Sequence, residues 1–206
     1  MDEKVQKYLN SFISPKSNLL DLMAKAHIAR KDIRIPRLET ETAALLNWLI
    51  RLTKSKEVLE FGTCIGYSAI FMAEAVKENG GHITTIESAL NHYIEASENI
   101  LNSGYSEIIT LINGDAAIEI DKFDRQFDFI LQDSKKQIYP LMLESIISKT
   151  VNGGIIVADD TLFEPLGMPE KYSRCTDEYN QLVFNDSRLI STILPIGSGL
   201  TISFKK

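Results

Sequence analysis

From Glu57 onward the sequence alternates short apolar runs with longer amphipathic stretches, which restricts the chain to strands joined by helical crossovers and hence to a parallel sheet covered on both faces. Val58-Leu59-Glu60-Phe61 reads as the first strand, His82-Ile83-Thr84-Thr85-Ile86 as the second and Ile109-Thr110-Leu111-Ile112 as the third. Phe127-Asp128-Phe129-Ile130-Leu131 and Gly154-Ile155-Ile156-Val157-Ala158 are the fourth and fifth. Leu189 to Leu194 and Leu200 to Phe204 close the sheet as an antiparallel pair. Helices over Tyr67 to Glu78, Leu90 to Asn102 and Tyr139 to Lys149 fill the crossovers. The expected architecture is α/β, with seven mostly parallel strands and helices on both faces.

Ahead of the first strand the pattern is helical. Residues 3 to 29 suit two helices interrupted near Ser14-Pro15, and Thr40 to Leu52 suits a third, with Ala43, Leu46, Trp48, Leu49 and Leu52 as its apolar stripe. Trp48 is expected to pack against the sheet. With 206 residues the chain is read as one domain over 1–206, in which 1–37 is an N-terminal helical segment.

No apolar run approaches the roughly 20 residues of a membrane span, and the polar N-terminus lacks the apolar core of a secretory signal. These features point to a soluble, cytoplasmic protein with no membrane partner. Cys64 and Cys175, far apart in sequence, make neither a disulfide framework nor a thiolate metal site, and are read as buried reduced thiols. A net charge of −6 opposes nucleic-acid binding by bulk electrostatics. One stretch runs the other way: residues 25–37 carry Lys25, Arg30, Lys31, Arg34 and Arg37 against Asp32, a local charge of +4.

The turn Glu60-Phe61-Gly62-Thr63-Cys64-Ile65-Gly66-Tyr67-Ser68 lies where a doubly wound sheet binds nucleotides, after one strand and before the next helix. Gly62 permits a tight turn with close backbone approach to a ligand, and Gly66 lets the helix near the strand. The GxxxG form lacks both the dinucleotide fingerprint and the Gly-Lys-Ser/Thr of a phosphate loop, and alone it is equally compatible with an ordinary turn. Glu87, at the end of the second strand, is suited to accept hydrogen bonds from both ribose hydroxyls of an adenosine ligand. Gly114-Asp115-Ala116, beyond the third strand, supplies a carboxylate where the adenine amino group of such a ligand lies. Asp133 ends the fourth strand and Asp159-Asp160 the fifth, so their carboxylates converge at the carboxyl edge of the sheet, and such hard oxygen donors suit Mg2+ or another divalent cation.

The ordered set Val58-Leu59-Glu60-Phe61-Gly62-Thr63 with Gly66-Tyr67-Ser68, Glu87, Gly114-Asp115-Ala116, Asp133-Ser134-Lys135-Lys136 with Tyr139, and Asp159-Asp160-Thr161-Leu162-Phe163 resembles the cation-dependent O-methyltransferases, the group of the catechol and caffeoyl-CoA enzymes. Leu38 to Ser68 lines up with the catechol enzymes without a gap, and Asp186-Ser187-Arg188 with Pro195 to Leu200 extends the likeness. Among bacterial members it looks closest to those that methylate 5-hydroxyuridine in tRNA. The resemblance implies a Rossmann-like class I methyltransferase fold and a homodimer. It implies S-adenosylmethionine as cofactor, bound by Leu38, Glu60, Gly62, Ser68, Glu87, Asp115, Ala116 and Asp133. It further implies a divalent cation on Asp133, Asp159 and Asp160, with Lys136 as general base beside Asp133.

Two readings of the acceptor follow: a small catechol-like molecule whose hydroxyl neighbours a second oxygen, or 5-hydroxyuridine in tRNA. The chain departs from the family at Asp160, which stands where an Asn is usual, and at Gln132, where an apolar residue is common. Lost turnover through these two changes would leave a catalytically silent cofactor-binding module. Lys135 offers a second amine beside Lys136. His27, His82 and His92 are assigned to no site, Tyr139 either lines the site or packs its helix, and residues 164–185 are the candidate lid.

Overall fold

The computed structural model describes residues 3–13, 19–23 and 38–206. The expected break near Ser14-Pro15 and the whole of the basic stretch at 25–37 lie outside the described residues. Helix α1 (Glu3–Ile13) and a helical segment at 19–23 precede α2 (Thr40–Thr53). The chain then alternates through β1 (Glu57–Phe61), α3 (Tyr67–Glu78), β2 (His82–Glu87), α4 (Leu90–Ser103), β3 (Ile109–Asn113), the short α5 (Ala116–Glu119), β4 (Phe127–Gln132), α6 (Tyr139–Lys149) and β5 (Thr150–Asp159). Helix α7 (Glu170–Asn185), β6 (Leu189–Leu194) and β7 (Leu200–Lys205) close it. Among the described residues no helix is long and apolar enough to cross a membrane.

The seven strands form one sheet in the order β3-β2-β1-β4-β5-β7-β6, with β1 to β5 parallel and β7 antiparallel to both neighbours. The order reverses between β1 and β4, so the connections leaving these two strands diverge and open a crevice at their carboxyl ends. The strands read as near-continuous apolar runs because both faces are buried. Val58, Ile83, Phe129, Leu131 and Val157 face α2 and α3, whereas Leu59, Phe61, Ile130, Ile156 and Ala158 face α6 and α7.

Helix α2 corrects one expectation. Its buried apolar side chains are Ala43, Leu46 and Ile50, while Trp48 and Leu52 are 57% and 62% exposed. At 100° per residue, positions 43, 46 and 50 share a face; Trp48 and Leu52 lie about 140° and 180° round from Ala43, so apolar character alone assigned them wrongly. The thiols are another correction, because Cys64 and Cys175 are free but only half-buried.

The candidate lid region is mostly the sixteen-residue helix α7, whose buried positions Ser173, Thr176, Tyr179 and Val183 recur at helical spacing. Two of the four are polar, which hid the stripe. Tyr179 packs edge-on against Tyr139 of α6 with ring centroids 5.5 Å apart, so this helix belongs to the core.

Gly62 and Gly66 bracket the turn after β1, and the two glycines are needed for different reasons. Gly62 has φ +98°, and a Cβ on it would lie 2.1 Å from the Asp133 carbonyl oxygen, so the backbone it approaches is that of β4's extension. Gly66 has φ +90° but would meet only ordinary contacts, so it is required by its left-handed backbone. For Gly62→Ala the backbone alone costs roughly 1–2 kcal/mol, and the clash adds to it. Urea unfolding should therefore show a loss of about 2 kcal/mol or more; a change within about 0.5 kcal/mol, the size of an ordinary surface substitution, would contradict this account.

Candidate active site

The turn after β1 is pinned between its neighbours. Gly62 N–H donates to the Ile86 carbonyl at 2.9 Å, and Asp133 N–H donates to the Phe61 carbonyl at 2.9 Å. Glu87 Oε2 accepts from Cys64 N–H and Oε1 from Ala89 N–H, both at 2.8 Å, which fixes its carboxylate beneath the turn. Asp115 caps α5 by accepting from Ala117 N–H at 2.9 Å. A cavity of about 550 Å³ opens here, and Leu38, Gly62, Ser68, Glu87, Asp115, Ala116 and Asp133 all line it. Seven of the eight residues expected around the cofactor therefore share one space.

Glu60 is the eighth and does not reach the cavity. It is fully buried on β1, where Oε2 accepts from the Thr85 hydroxyl at 2.5 Å and Oε1 has no well-formed partner. Burial pushes its carboxyl up to about 7, against the opposing pull of the Ser68 and Thr85 hydroxyls.

Asp133 and Asp160 line the same cavity and Asp159 is buried behind them, and one carboxylate oxygen from each of the three lies within 4.8 Å of the others. Asp160 has φ +61°, a left-handed turn that aims its side chain back toward β4. Lys136 is buried beside them: its Nζ lies 3.0 Å from Asp133 Oδ1, 2.9 Å from Asp160 Oδ2 and 2.9 Å from the Tyr139 hydroxyl. That hydroxyl lies 2.7 Å from the Gln132 carbonyl and 3.1 Å from that of Asp159, so Tyr139 neither lines the cavity nor merely packs its helix. It ties the two strand ends to Lys136. Lys135 also lines the cavity but is exposed, so burial among the carboxylates sets apart Lys136, the lysine that the family resemblance favours as base.

Burial pushes the Asp133 carboxyl up to about 6, with Lys136 pulling it down and Asp160 pushing it further up. Asp159 rises well above the carboxylate range through burial and the nearby Asp133 and Asp160. For Lys136 burial opposes the charge, but the Tyr139 oxygen and the Asp133 and Asp160 carboxylates outweigh it and hold the ammonium protonated.

Three features escaped the sequence reading. Gln132 is fully buried with neither amide atom hydrogen-bonded. His92, assigned to no site, lines the cavity with Nδ1 4.0 Å from Glu87 Oε1, because one turn into α4 returns it over the β2 end. Glu39 precedes α2, and its carboxyl is raised by burial, with Asp160, Glu41 and Asp133 adding to the rise. An acid at a helix start reads as an ordinary terminal residue, and nothing in its spacing points to the strand ends.

The chain matches the O-methyltransferase family over residues 12–206, and it belongs to that family. It is 28% identical over 175 residues to tapetum-specific methyltransferase 1 of Arabidopsis thaliana, covering 79% of this chain and 75% of that one. It is 27% identical over 164 residues to a catechol O-methyltransferase of Niastella koreensis, covering 78% and 73%. Its fold is shared with the O-methyltransferase TomG of Streptomyces achromogenes, solved in complex with SAM, at a TM-score of 0.88 and 21% identity over 98% of this chain and 96% of that one. The expected enzyme class, an O-methyltransferase, is thereby met.

Glu60 generates a pH test. Its carboxyl is raised in the fold from 4.5 to about 7, so between those values the unfolded chain ionises first and the fold loses stability as pH rises, on the order of 3 kcal/mol in all. Glu60→Gln removes that loss. The melting temperature of the variant relative to wild type should rise from pH 5 to pH 8; a difference that stays constant with pH would contradict the assignment.

Proposed function

We propose that this protein is a divalent-cation-dependent O-methyltransferase that moves the methyl group of S-adenosylmethionine to a hydroxyl adjacent to a second oxygen on a small, catechol-like acceptor. The observation that carries the reading is the three-carboxylate cluster beside the cavity, in which Asp159 Oδ1 is buried without a hydrogen-bond partner. An unpartnered buried carboxylate oxygen is costly, and a cation is the partner that such hard donors fit. Asp133, Asp159 and Asp160 are the residues to hold it. When bound, the ion lowers the pKa of a hydroxyl it ligates, and the cofactor brings a methyl already activated on its sulfonium.

The chain's own part is positioning and proton handling. Ser68 and the backbone near Leu38 and Gly62 hold the amino-acid end of the cofactor, Glu87 accepts from its ribose, and Asp115 and Ala116 run along its adenine. Asp133 both lines the cavity and belongs to the carboxylate cluster, so it would bring the cofactor's space and the acceptor's space together for an in-line transfer. Lys136, buried against Asp133 and Asp160, is the group placed to act as base, and it would take the acceptor's proton only after its ammonium has released one of its own to solvent. Ile138, Phe163, Met168 and Tyr172 wall the rest of the cavity, and these apolar and aromatic faces favour a flat ring. The N. koreensis relative named for catechol supports the same acceptor class. Tyr8, Phe12, Trp48 and Leu52, exposed on the neighbouring helices α1 and α2, support a homodimer formed through these helices.

Methyl transfer from labelled S-adenosylmethionine should occur to a catechol with Mg2+, stop with chelator, and fall by about 100-fold or more in Asp159→Asn, since altering even a supporting partner of a metal ligand costs about 10–100-fold. Transfer to tRNA bearing 5-hydroxyuridine and not to the catechol would replace the small-molecule acceptor. Transfer that is indifferent to chelator would remove the cation from the reading.

A further inference from the structure

The carboxylates proposed to hold the ion are already bound by a cation that belongs to the chain. The Lys136 ammonium has three N–H groups and three partners, namely Asp133 Oδ1 at 3.0 Å, Asp160 Oδ2 at 2.9 Å and the Tyr139 hydroxyl at 2.9 Å. Two of these partners are members of the three-carboxylate cluster. A divalent ion on the same oxygens would lie within a few ångströms of a buried positive charge, where repulsion between the two is weakly screened. Only the Tyr139 contact is independent of the cluster. It is also firmly placed, because the Gln132 and Asp159 carbonyls fix the hydroxyl and α7 backs the ring.

We propose that Lys136 competes with the divalent ion for Asp133 and Asp160, so that the ion binds by exchange: the ammonium, keeping its proton and its Tyr139 contact, leaves Asp160 and turns into the cavity. Lys136 already lines that cavity, beside Phe163. Asp160 is then the residue that sets ion affinity. Its charge offsets that of Lys136, and without it the shell would carry two carboxylates against one ammonium. The inference rests on the cation reading of the site and adds which side chain the ion must displace.

The test measures binding of Mn2+ alone, by electron paramagnetic resonance of the free ion, to the full chain. Lys136→Met should tighten Mn2+ binding at least tenfold, Asp160→Asn should weaken it at least tenfold, and Lys136→Met made in the Asp160→Asn background should tighten it by a clearly smaller factor. Equal factors in the two backgrounds, or unchanged or weaker binding in Lys136→Met, overturn the exchange. Because Lys136→Met leaves buried carboxylates unpaired, a second measurement uses wild-type protein carrying 15N-lysine. The Lys136 ammonium signal, assigned as the one missing from the charge-matched double variant, should shift saturably with Mg2+. Calorimetric Mg2+ binding with that signal unmoved overturns the exchange alone. No binding of either ion to wild type or any variant overturns the cation reading and this inference together.

Discussion

The cofactor cavity and the carboxylate cluster form one site because the turn after β1 touches the extension of β4, and the touch is possible only where β1's turn has no side chain. Gly62 sits against the Asp133 carbonyl, and the Asp133 N–H in turn donates to the Phe61 carbonyl. This pairing continues the β1–β4 register one residue past the strands, at the point where the sheet order reverses. The geometry then follows from the backbone. Whatever the turn holds on one side lies next to Asp133 on the other, and Asp133 is one residue beyond a strand that pairs directly with β5, from which Asp159 and Asp160 come.

That arrangement concentrates negative charge in a buried place. Asp133, Asp159 and Asp160 meet one Lys136, and Glu39 approaches from the start of α2. Desolvation and mutual repulsion both disfavour ionised carboxylates here, which is why Asp133 and Asp159 rise instead of falling as paired acids usually do. A fold selected for stability alone would fill such a position with apolar residues. Here the cluster is carried by rigid supports instead: two strand ends, a left-handed turn at Asp160 and a tyrosine locked between α6 and α7. Rigidity prevents the acids from relaxing apart, and a site that cannot relax favours a ligand of opposite charge.

The sheet was legible because burial on both faces leaves apolar runs that no other arrangement explains. Tyr67–Glu78 and Tyr139–Lys149 coincide with the helices expected there. Failures came where residue type and position disagree. Trp48 is apolar but faces away from the sheet; Thr176 is polar but fully buried in α7. Strand β5 begins at Thr150, four residues before the expected start, because the polar Asn152 and the glycine at 153 carry no apolar run and fall where the register with β4 shifts. The candidate site was readable as a set of strand-end residues, since topology alone brings strand ends together. What sequence does not contain is orientation. Apart from the family resemblance, nothing in Lys135-Lys136 says which amine turns inward, and nothing in Glu60 says that it faces Thr85 instead of the cavity.

On the proposed function, the division of labour across the sheet would let acceptor choice vary without disturbing the cofactor. The turns after β1, β2 and β3 line one side of the cavity, and the segments after β4 and β5 line the other and carry the carboxylates. The walls beyond the carboxylates are Phe163, Met168 and Tyr172, which lie between β5 and the body of α7. This stretch is anchored at both ends. Thr161 and Leu162 N–H groups donate to the Gly199 and Ser198 carbonyls before β7, and Asn180 of α7 bonds both the Thr161 carbonyl and the Thr201 hydroxyl. Residues between two such anchors can differ in side chain without moving Asp159 and Asp160, so on the proposed function this is the segment through which acceptor choice would be set.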